Sequence, residues 1–183
     1  MPKKREKLDI KCGDVDCKAD EHSFVQKKPR NKPRPIPTCC TTCGVAPLNW
    51  EILRRRDIGN IEELVSSFRK EHIRAYFWRF ELSAVSTHNP VQKGRGWMRH
   101  RVRKRLTDSI GSTCHFREGR QTPLVEDDDP IHYAQHATAT CCRKCVFCWH
   151  GIPEGRPLKE DELTYLEKIV WRYLDEKLPA LND

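Results

Sequence analysis

Residues 136–153 read HATATCCRKCVFCWHGIP and hold four cysteines and two histidines in eighteen positions. Three chemistries use such a density: a metal site, a redox or nucleophilic centre, or a sulfur-rich core. The rest of the chain supplies the context. Ten cysteines stand among 183 residues, of which 37% are hydrophobic and 33% charged. A chain of this length reads as one domain, or as a small domain with an appendage. Its mean hydropathy of -0.77 calls for more than apolar burial to fix a fold. No run of eighteen apolar residues offers a transmembrane helix, so no membrane partner is expected. The opening MPKKREKLDIKCG is basic but has no apolar segment behind it, unlike a secretory signal. The expected compartment is the reducing cytoplasm, where clustered cysteines hold metal more often than they form disulfides.

A second cysteine group lies near the N-terminus. Cys12-x4-Cys17 followed by Cys40-x2-Cys43-Gly44 is the layout of a zinc ribbon, two short knuckles offering two thiolates each. Glycine after the second knuckle permits the tight turn. Cys39 competes with Cys40, and His22 is a substitute for one thiolate. Between the knuckles, VQKKPRNKPRPIP (25–37) is too rich in proline for helix or central strand and reads as an extended loop. The chain thus divides into a basic tail (1–11), a ribbon-like segment (12–48) and a helical Cys/His metal-binding domain (49–183).

Hydrophobic spacing places helices in that domain. Ile61, Leu64, Val65 and Phe68 share one face, with Asn60 and Glu63 as a capping pair. IRAYFWRFELSAV (73–85) fits strand or helix equally, and STHNPVQKGRG (86–96) reads as a turn-rich break. WMRHRVRKRLTDSI (97–110) is helical, with Met98, Val102 and Leu106 stacked. Residues 107–130 read as loop and end in EDDDP. The clearest helix is PLKEDELTYLEKIVWRYLDEKLP (157–179), with Glu160, Asp161 and Glu162 at the positive end of its dipole, Leu163, Leu166, Ile169, Val170, Tyr173 and Leu174 on one stripe, and Pro179 as its stop. HATAT suits either a segment passing close to a metal or a packed core strand. The expected class is a small α+β, mainly helical, zinc-stabilised domain with an N-terminal zinc ribbon.

For the central group, spacing leaves two ligand sets open. Cys142, Cys145, Cys148 and His150 offer four ligands in nine residues, cramped for one ion. Alternatively Cys142 and Cys145 form the knuckle and His136 and His150 close the tetrahedron, with Cys141 and His132 in reserve. GRQTP, HYAQHATATCCRKC and WHGIP, followed by a helix with an acidic start, resemble an uncharacterised bacterial and phage family known only as a domain of unknown function. Its hallmark string is AQHATATCCR..C....WHGIP, and the resemblance spans roughly residues 60–178, with the ribbon extra to it. That family does not require a cysteine at position 148. The resemblance therefore implies His136, Cys142, Cys145 and His150 as the ligands, with Cys141 the near alternative; with the ribbon, two zincs are expected in all. It implies no activity.

The known enzyme patterns fit poorly. A zinc nucleobase deaminase needs His-x-Glu and Pro-Cys-x-x-Cys, whereas Thr138 follows His136 and no proline precedes Cys142. A thioredoxin-type Cys-x-x-Cys lacks its βαβ context. The charge points elsewhere. Residues 93–120 carry nine Lys/Arg against two Asp/Glu, within a net charge of +8. Arg95, Arg99, Arg101, Arg103, Lys104 and Arg105 form a basic helix suited to phosphate backbones, DNA or RNA alike. A solvated helix face is the plainer reading. The expected function is a zinc-binding protein that contacts nucleic acid through this helix and the basic arm. Two alternatives stand beside it. One is a metal-dependent enzyme on nucleic acid or nucleotides using His132, His136 and Asp127–Asp129. The other is a scaffold for a protein partner.

Overall fold

The computed structural model describes residues 8–113 and 129–181. The first seven residues of the basic tail, GRQTP and the acidic run up to Asp128 lie outside the described residues. Seven α-helices follow one another within them: α1 Trp50–Leu53, α2 Ile61–Phe68, α3 His72–Arg79, α4 Ala84–Ile110, α5 Pro130–Ala137, α6 Arg143–His150 and α7 Glu160–Lys177.

The amphipathic stripes form as expected. Leu64, Val65 and Phe68 of α2 are buried, as are Leu163, Leu166, Ile169, Val170, Tyr173 and Leu174 of α7. The start of α2 differs from expectation, because Asn60 makes no side-chain cap. Asp57 instead accepts from the Gly59 N–H at 2.8 Å and winds a 3₁₀ turn, Ile58–Asn60, into the helix. On α7 three acids occupy the first turn, where they complement the helix dipole, and Glu162 accepts from the Lys159 N–H at 2.9 Å.

The ambiguous stretch after α2 is helical through Arg79, then extended at Phe80. The predicted break at 86–96 is not a loop. Ser83 caps the Ser86 N–H at 3.2 Å, and α4 runs through Pro90 to Ile110. The turn signals are concentrated into one kink at Gly94, whose φ of 76° and ψ of 177° suit glycine alone. Beyond it Met98, Val102, Leu106 and Ile110 bury one face. HATAT is no strand either. His136 and Ala137 end α5, and Ala139 turns the chain at φ 56°. Gly151 ends α6 in the left-handed region, where a β-carbon would meet the Arg54 side chain at 3.3 Å.

Helix α5 lies at the centre, between α3 and α7, with α4 against both α5 and α7. Every residue from Pro130 to Arg143 is buried. The N-terminal segment joins the same core. Phe24 is fully buried, with its ring 5.4 Å from Trp50 and 5.9 Å from Trp149. The β component of the expected class is not seen: among the described residues there are only two isolated bridges, Asp16 with Glu21 and His22 with Glu71. The second is a single point of attachment. The His22 N–H reaches the Lys70 carbonyl at 2.7 Å and the His72 N–H returns to His22 at 2.9 Å.

Gly94 and the exposed Gly96 give a paired test. Gly94→Ala is expected to lower stability by ~1–3 kcal/mol, because alanine must adopt a glycine-only backbone state. Gly96→Ala, with open space at its β-carbon, is expected to be neutral or to stabilise by up to ~1 kcal/mol. Urea melts of the two variants check this; equal effects would show that the kink does not depend on Gly94.

Candidate metal centre

Two groups of donors converge. In the first, Cys17, His22, Cys40 and Cys43 place one ligand atom each, all within 4.8 Å of one another. The sulfurs of Cys17 and Cys40 are 4.0 Å apart, and Cys43 Sγ lies 3.5 Å from His22 Nδ1. The other ring nitrogen of His22, Nε2, is 2.9 Å from the Asp20 carboxylate, which also pairs with Lys70. A carboxylate behind the imidazole fixes its orientation and leaves Nδ1 for the cluster, the arrangement found behind metal-bound histidines. Burial opposes ionisation of Cys40, but backbone hydrogen bonds from Cys43, Ser23 and Thr42 outweigh it and bring the thiol down to about 6. This set of three sulfurs and one nitrogen could hold a soft or borderline divalent ion.

The structure therefore places three of the four predicted ribbon residues together and substitutes His22 for Cys12. Cys12 stands on a separate turn and packs against the core. Cys39 stays outside the group, beside Thr38.

The second group is Cys141, Cys142 and Cys145, again within 4.8 Å of one another and all buried. Cys142 and Cys145 have their sulfurs 3.5 Å apart at the start of α6. The Arg74 guanidinium points into the group, with Nη2 3.0 Å from Cys145 Sγ and Nη1 3.7 Å from Cys141 Sγ. Hydrogen bonds from Cys142 and Cys145, helped by Arg74, hold the Cys141 thiol well below its ordinary range. Arg74 is itself fully buried. Its Nε donates to Glu71 at 2.9 Å and its Nη1 to the His136 carbonyl at 2.7 Å. Neither Arg74 nor Glu71 stood out in the sequence: a charged pair three residues apart on a helix is ordinarily a solvated one.

The two histidines proposed with this group lie differently. The His150 ring nitrogens sit 3.2 Å from the Tyr165 hydroxyl and 3.0 Å from the Thr138 carbonyl, away from the sulfurs. The His136 ring packs against Phe77 and His132, with centroids 5.0 Å and 5.2 Å away. What His136 brings to the centre is its backbone carbonyl. Cys148 is buried one turn along, and its carbonyl takes two hydrogen bonds from Arg54.

The basic helix is largely answered from within the chain. Arg95 pairs with Asp175 at 2.8 Å and Arg103 with Glu167 at 3.1 Å and with Glu160. Lys104 pairs with Asp108 at 2.8 Å, Arg101 approaches Asp129 at 3.8 Å, and Arg105 donates to Gln135 at 3.2 Å. Arg99 is exposed and borders a shallow pocket with Arg95, Lys168 and Trp171. Asp129 also caps α5 through the Ile131 N–H at 3.0 Å. Asp127 and Asp128 lie outside the described residues.

Both the ion pair and the buried histidine can be probed by stability. Arg74→Met would leave Glu71 buried without its partner and is expected to cost ~3–5 kcal/mol, whereas Glu71→Gln with Arg74→Met should cost clearly less than the two singles combined. Additivity in urea melts would show that the pair is not coupled. For His150, burial, only partly opposed by the hydrogen bond to Thr138, lowers the pKa from 6.5 to about 4. The folded state thus refuses a proton that the unfolded chain accepts below pH 6.5. Its contribution is whole above that pH and falls by ~3 kcal/mol as pH drops towards 4. His150→Gln should flatten this part of the stability curve, and the pH dependence shared by both proteins includes that of the ion-paired carboxylates Glu21, Glu62 and Glu162, whose pKa values are lowered. Identical curves would rule out the histidine's contribution.

No solved structure matches the chain. A family model, described as a domain of unknown function (DUF4186), matches residues 62–175, from the first turn of α2 to the last turn of α7, and takes in Glu71, Arg74 and the Cys141/Cys142/Cys145 group. The chain belongs to that DUF4186 family.

Proposed function

We propose that this is a zinc-binding protein in which two thiolate-rich sites lock the fold, and whose exposed basic loop contacts nucleic acid. The observation that carries the zinc reading is the convergence of Cys17, His22, Cys40 and Cys43 with Asp20 behind the imidazole. Bound there, zinc would cross-link the two ends of the ribbon-like segment, whose own apolar content is too small to hold them. The burial of Cys141, Cys142 and Cys145 favours a structural role for the second site as well. A catalytic zinc keeps a position open to water or substrate, and these sulfurs have no such access. The enzyme alternative gains no support from His132, which lies against His136 among the aromatic rings of the core.

For the nucleic-acid surface, the weight moves from α4 to the loop. Residues 22–50 contain five Lys/Arg and no Asp/Glu. Lys27, Lys28, Arg30 and Lys32 are exposed around a turn at Asn31, whose φ is 60°. Arg34 pins the base of the loop, donating to the Gln26 carbonyl at 2.6 Å and pairing with Glu154 at 3.3 Å. Such a charge has no acid within its own segment to satisfy it, and phosphate is the common polyanion that would.

Two measurements test the two halves. Metal analysis of the purified chain should find two zincs, both lost to a strong chelator with loss of cooperative unfolding; a metal-free folded protein would overturn the zinc reading. Fluorescence anisotropy with DNA and RNA oligonucleotides should show steeply salt-dependent binding. Replacing Lys27, Lys28, Arg30 and Lys32 by Gln should reduce the salt slope by about one unit for each phosphate that is no longer neutralised. An unchanged slope would overturn the loop assignment.

A further inference from the structure

Beyond the kink in α4, Arg95, Arg99 and Arg103 recur every fourth residue and so form one ridge of the helix. The outer two meet acids of α7: Arg95 pairs with Asp175 at 2.8 Å, and Arg103 with Glu167 at 3.1 Å and with Glu160. The middle one does not. Arg99 shares the lining of a cleft between the two helices with Lys168, and neither cation has an acidic partner among the described residues. We propose that this cleft binds a nucleotide, whose phosphate monoester stands where the pattern of Arg95 and Arg103 would put an acid. The site shares no residue with the sulfur groups or with the basic loop.

The charge balance of the cleft favours a dianion. Two like charges on packed helices repel, and an anion placed between them turns that repulsion into two attractions. A carboxylate or a phosphodiester brings one negative charge, whereas a phosphate monoester brings about −1.5 to −2 near pH 7. Glu167, the acid in the lining, does not oppose this, because its carboxylate is only 16% exposed and is already held by Arg103. The donors are also suitable. Arg99 offers a planar fork, Lys168 a compact ammonium, and the Thr164 oxygen accepts from Arg103 Nη1 at 3.3 Å, which leaves the hydroxyl hydrogen for a phosphoryl oxygen.

The remaining wall is flat. Trp171 is half-buried and lines the cleft, with the Arg95 guanidinium 4.5 Å from its ring centroid. The salt bridge to Asp175 fixes that guanidinium over the indole. A nucleobase stacks on an indole or on a guanidinium plane alike, whatever its sequence identity. The cleft measures about 240 Å³, below the ~300–1,000 Å³ of sites that enclose drug-sized ligands, and so suits a single nucleotide held by its phosphate and one face of its base. Such a monoester comes either as a free nucleotide or as the terminal phosphate of a nucleic-acid strand.

The test is calorimetric titration of the zinc-loaded full chain with adenosine monophosphate, which should bind once per chain. Adenosine, without the phosphate, and inorganic phosphate, without the ring, should each bind about tenfold more weakly or worse. Arg99→Gln and Lys168→Gln should each weaken adenosine monophosphate by about tenfold or more, as expected for the loss of a charge-assisted hydrogen bond. Both should keep or raise the melting temperature, because each removes one of two facing like charges. Lys104→Gln changes the net charge equally but removes a lysine paired with Asp108 outside the cleft, and should leave the affinity unchanged. A 5′-phosphorylated oligonucleotide and its 5′-hydroxyl counterpart separate the two sources. A preference for the phosphorylated strand that Arg99→Gln abolishes identifies a strand end, and Arg99-dependent binding confined to adenosine monophosphate identifies the free nucleotide. Absence of both, or equal weakening by Lys104→Gln and Arg99→Gln, would overturn the site. The variant with Lys27, Lys28, Arg30 and Lys32 replaced by Gln should bind adenosine monophosphate as the native chain does, so failure of the loop assignment and failure of this site are distinguishable.

Discussion

The buried pair of Glu71 and Arg74 is the interaction on which the other parts of this molecule depend. Glu71 is 1% exposed and Arg74 0%. Each of the two side chains holds several different pieces of chain. The Glu71 carboxylate takes the Trp149 indole N–H at 2.9 Å and the Phe24 backbone N–H at 3.4 Å. Arg74 takes the end of α5 through His136 and the second sulfur group through Cys145. One ion pair thus joins the N-terminal segment, α3, α5 and α6. Desolvating both charges is costly, and such a pair adds little stability over an apolar replacement of equal shape. Its value here is specificity. An apolar pair could not aim hydrogen-bond donors at a buried sulfur group, as Arg74 does at Cys145 and Cys141.

That arrangement explains why a polar chain can have a centre so dry. The stretch from Pro130 to Arg143 is buried from end to end although it contains Gln135, Thr138, Thr140 and Arg143. Every one of these is answered locally. Thr138 donates to Ala134 at 2.7 Å and lies 3.2 Å from the Thr140 hydroxyl, and Gln135 donates to Ser109 at 2.8 Å and to the Thr140 carbonyl at 3.1 Å. Arg143 reaches the Ile110 carbonyl at 3.1 Å and the Arg156 carbonyl at 2.9 Å, closing the C-terminal end of α4 where a positive charge also suits the helix dipole. Buried polar groups of this kind are tolerated only as a connected network, since each unmatched one carries the full cost of desolvation. The sulfur group sits inside such a network, between Arg74 on one side and the start of α6 on the other.

How much of this could be read from the sequence follows from the range of each signal. The faces of α2 and α7 were legible, because a stripe such as Leu163, Leu166, Ile169, Val170 is a local pattern with one solution. The convergence of Cys17, Cys40 and Cys43, with His22 as a substitute, was legible for the same reason: short knuckles constrain their own geometry. The second group was legible only in part: the Cys142 and Cys145 knuckle forms, but the reserve Cys141 joins it in place of His136 and His150. Cys141 follows Ala139, whose positive φ turns the backbone so that adjacent cysteines at 141 and 142 face one group, and spacing alone gives no hint of it. His150 looked like a ligand because it follows Cys148 closely, yet Tyr165 from α7 occupies one side of its ring and the Thr138 carbonyl the other. The break signalled over 86–96 narrows to Gly94, where the backbone leaves helical geometry, because Pro90 and the residues beside it are accommodated in helix on either side of that point.

The same distinction separates the two basic regions. By composition the segment around Arg95 to Arg105 is the stronger polyanion signal. In the fold, much of that charge faces α7, whose Glu160, Glu167 and Asp175 come from a stretch of opposite balance far along the chain. Exposed pairs of this kind each contribute only ~0–1 kcal/mol. Their effect on binding is larger than their effect on stability, because a phosphate must displace an acid that is already in place. Lys27, Lys28, Arg30 and Lys32 face no such competitor within their own segment, which runs from His22 to Trp50 without an acidic residue. Local charge density therefore misleads wherever tertiary packing brings its complement close, as α7 does for Arg95 and Arg103.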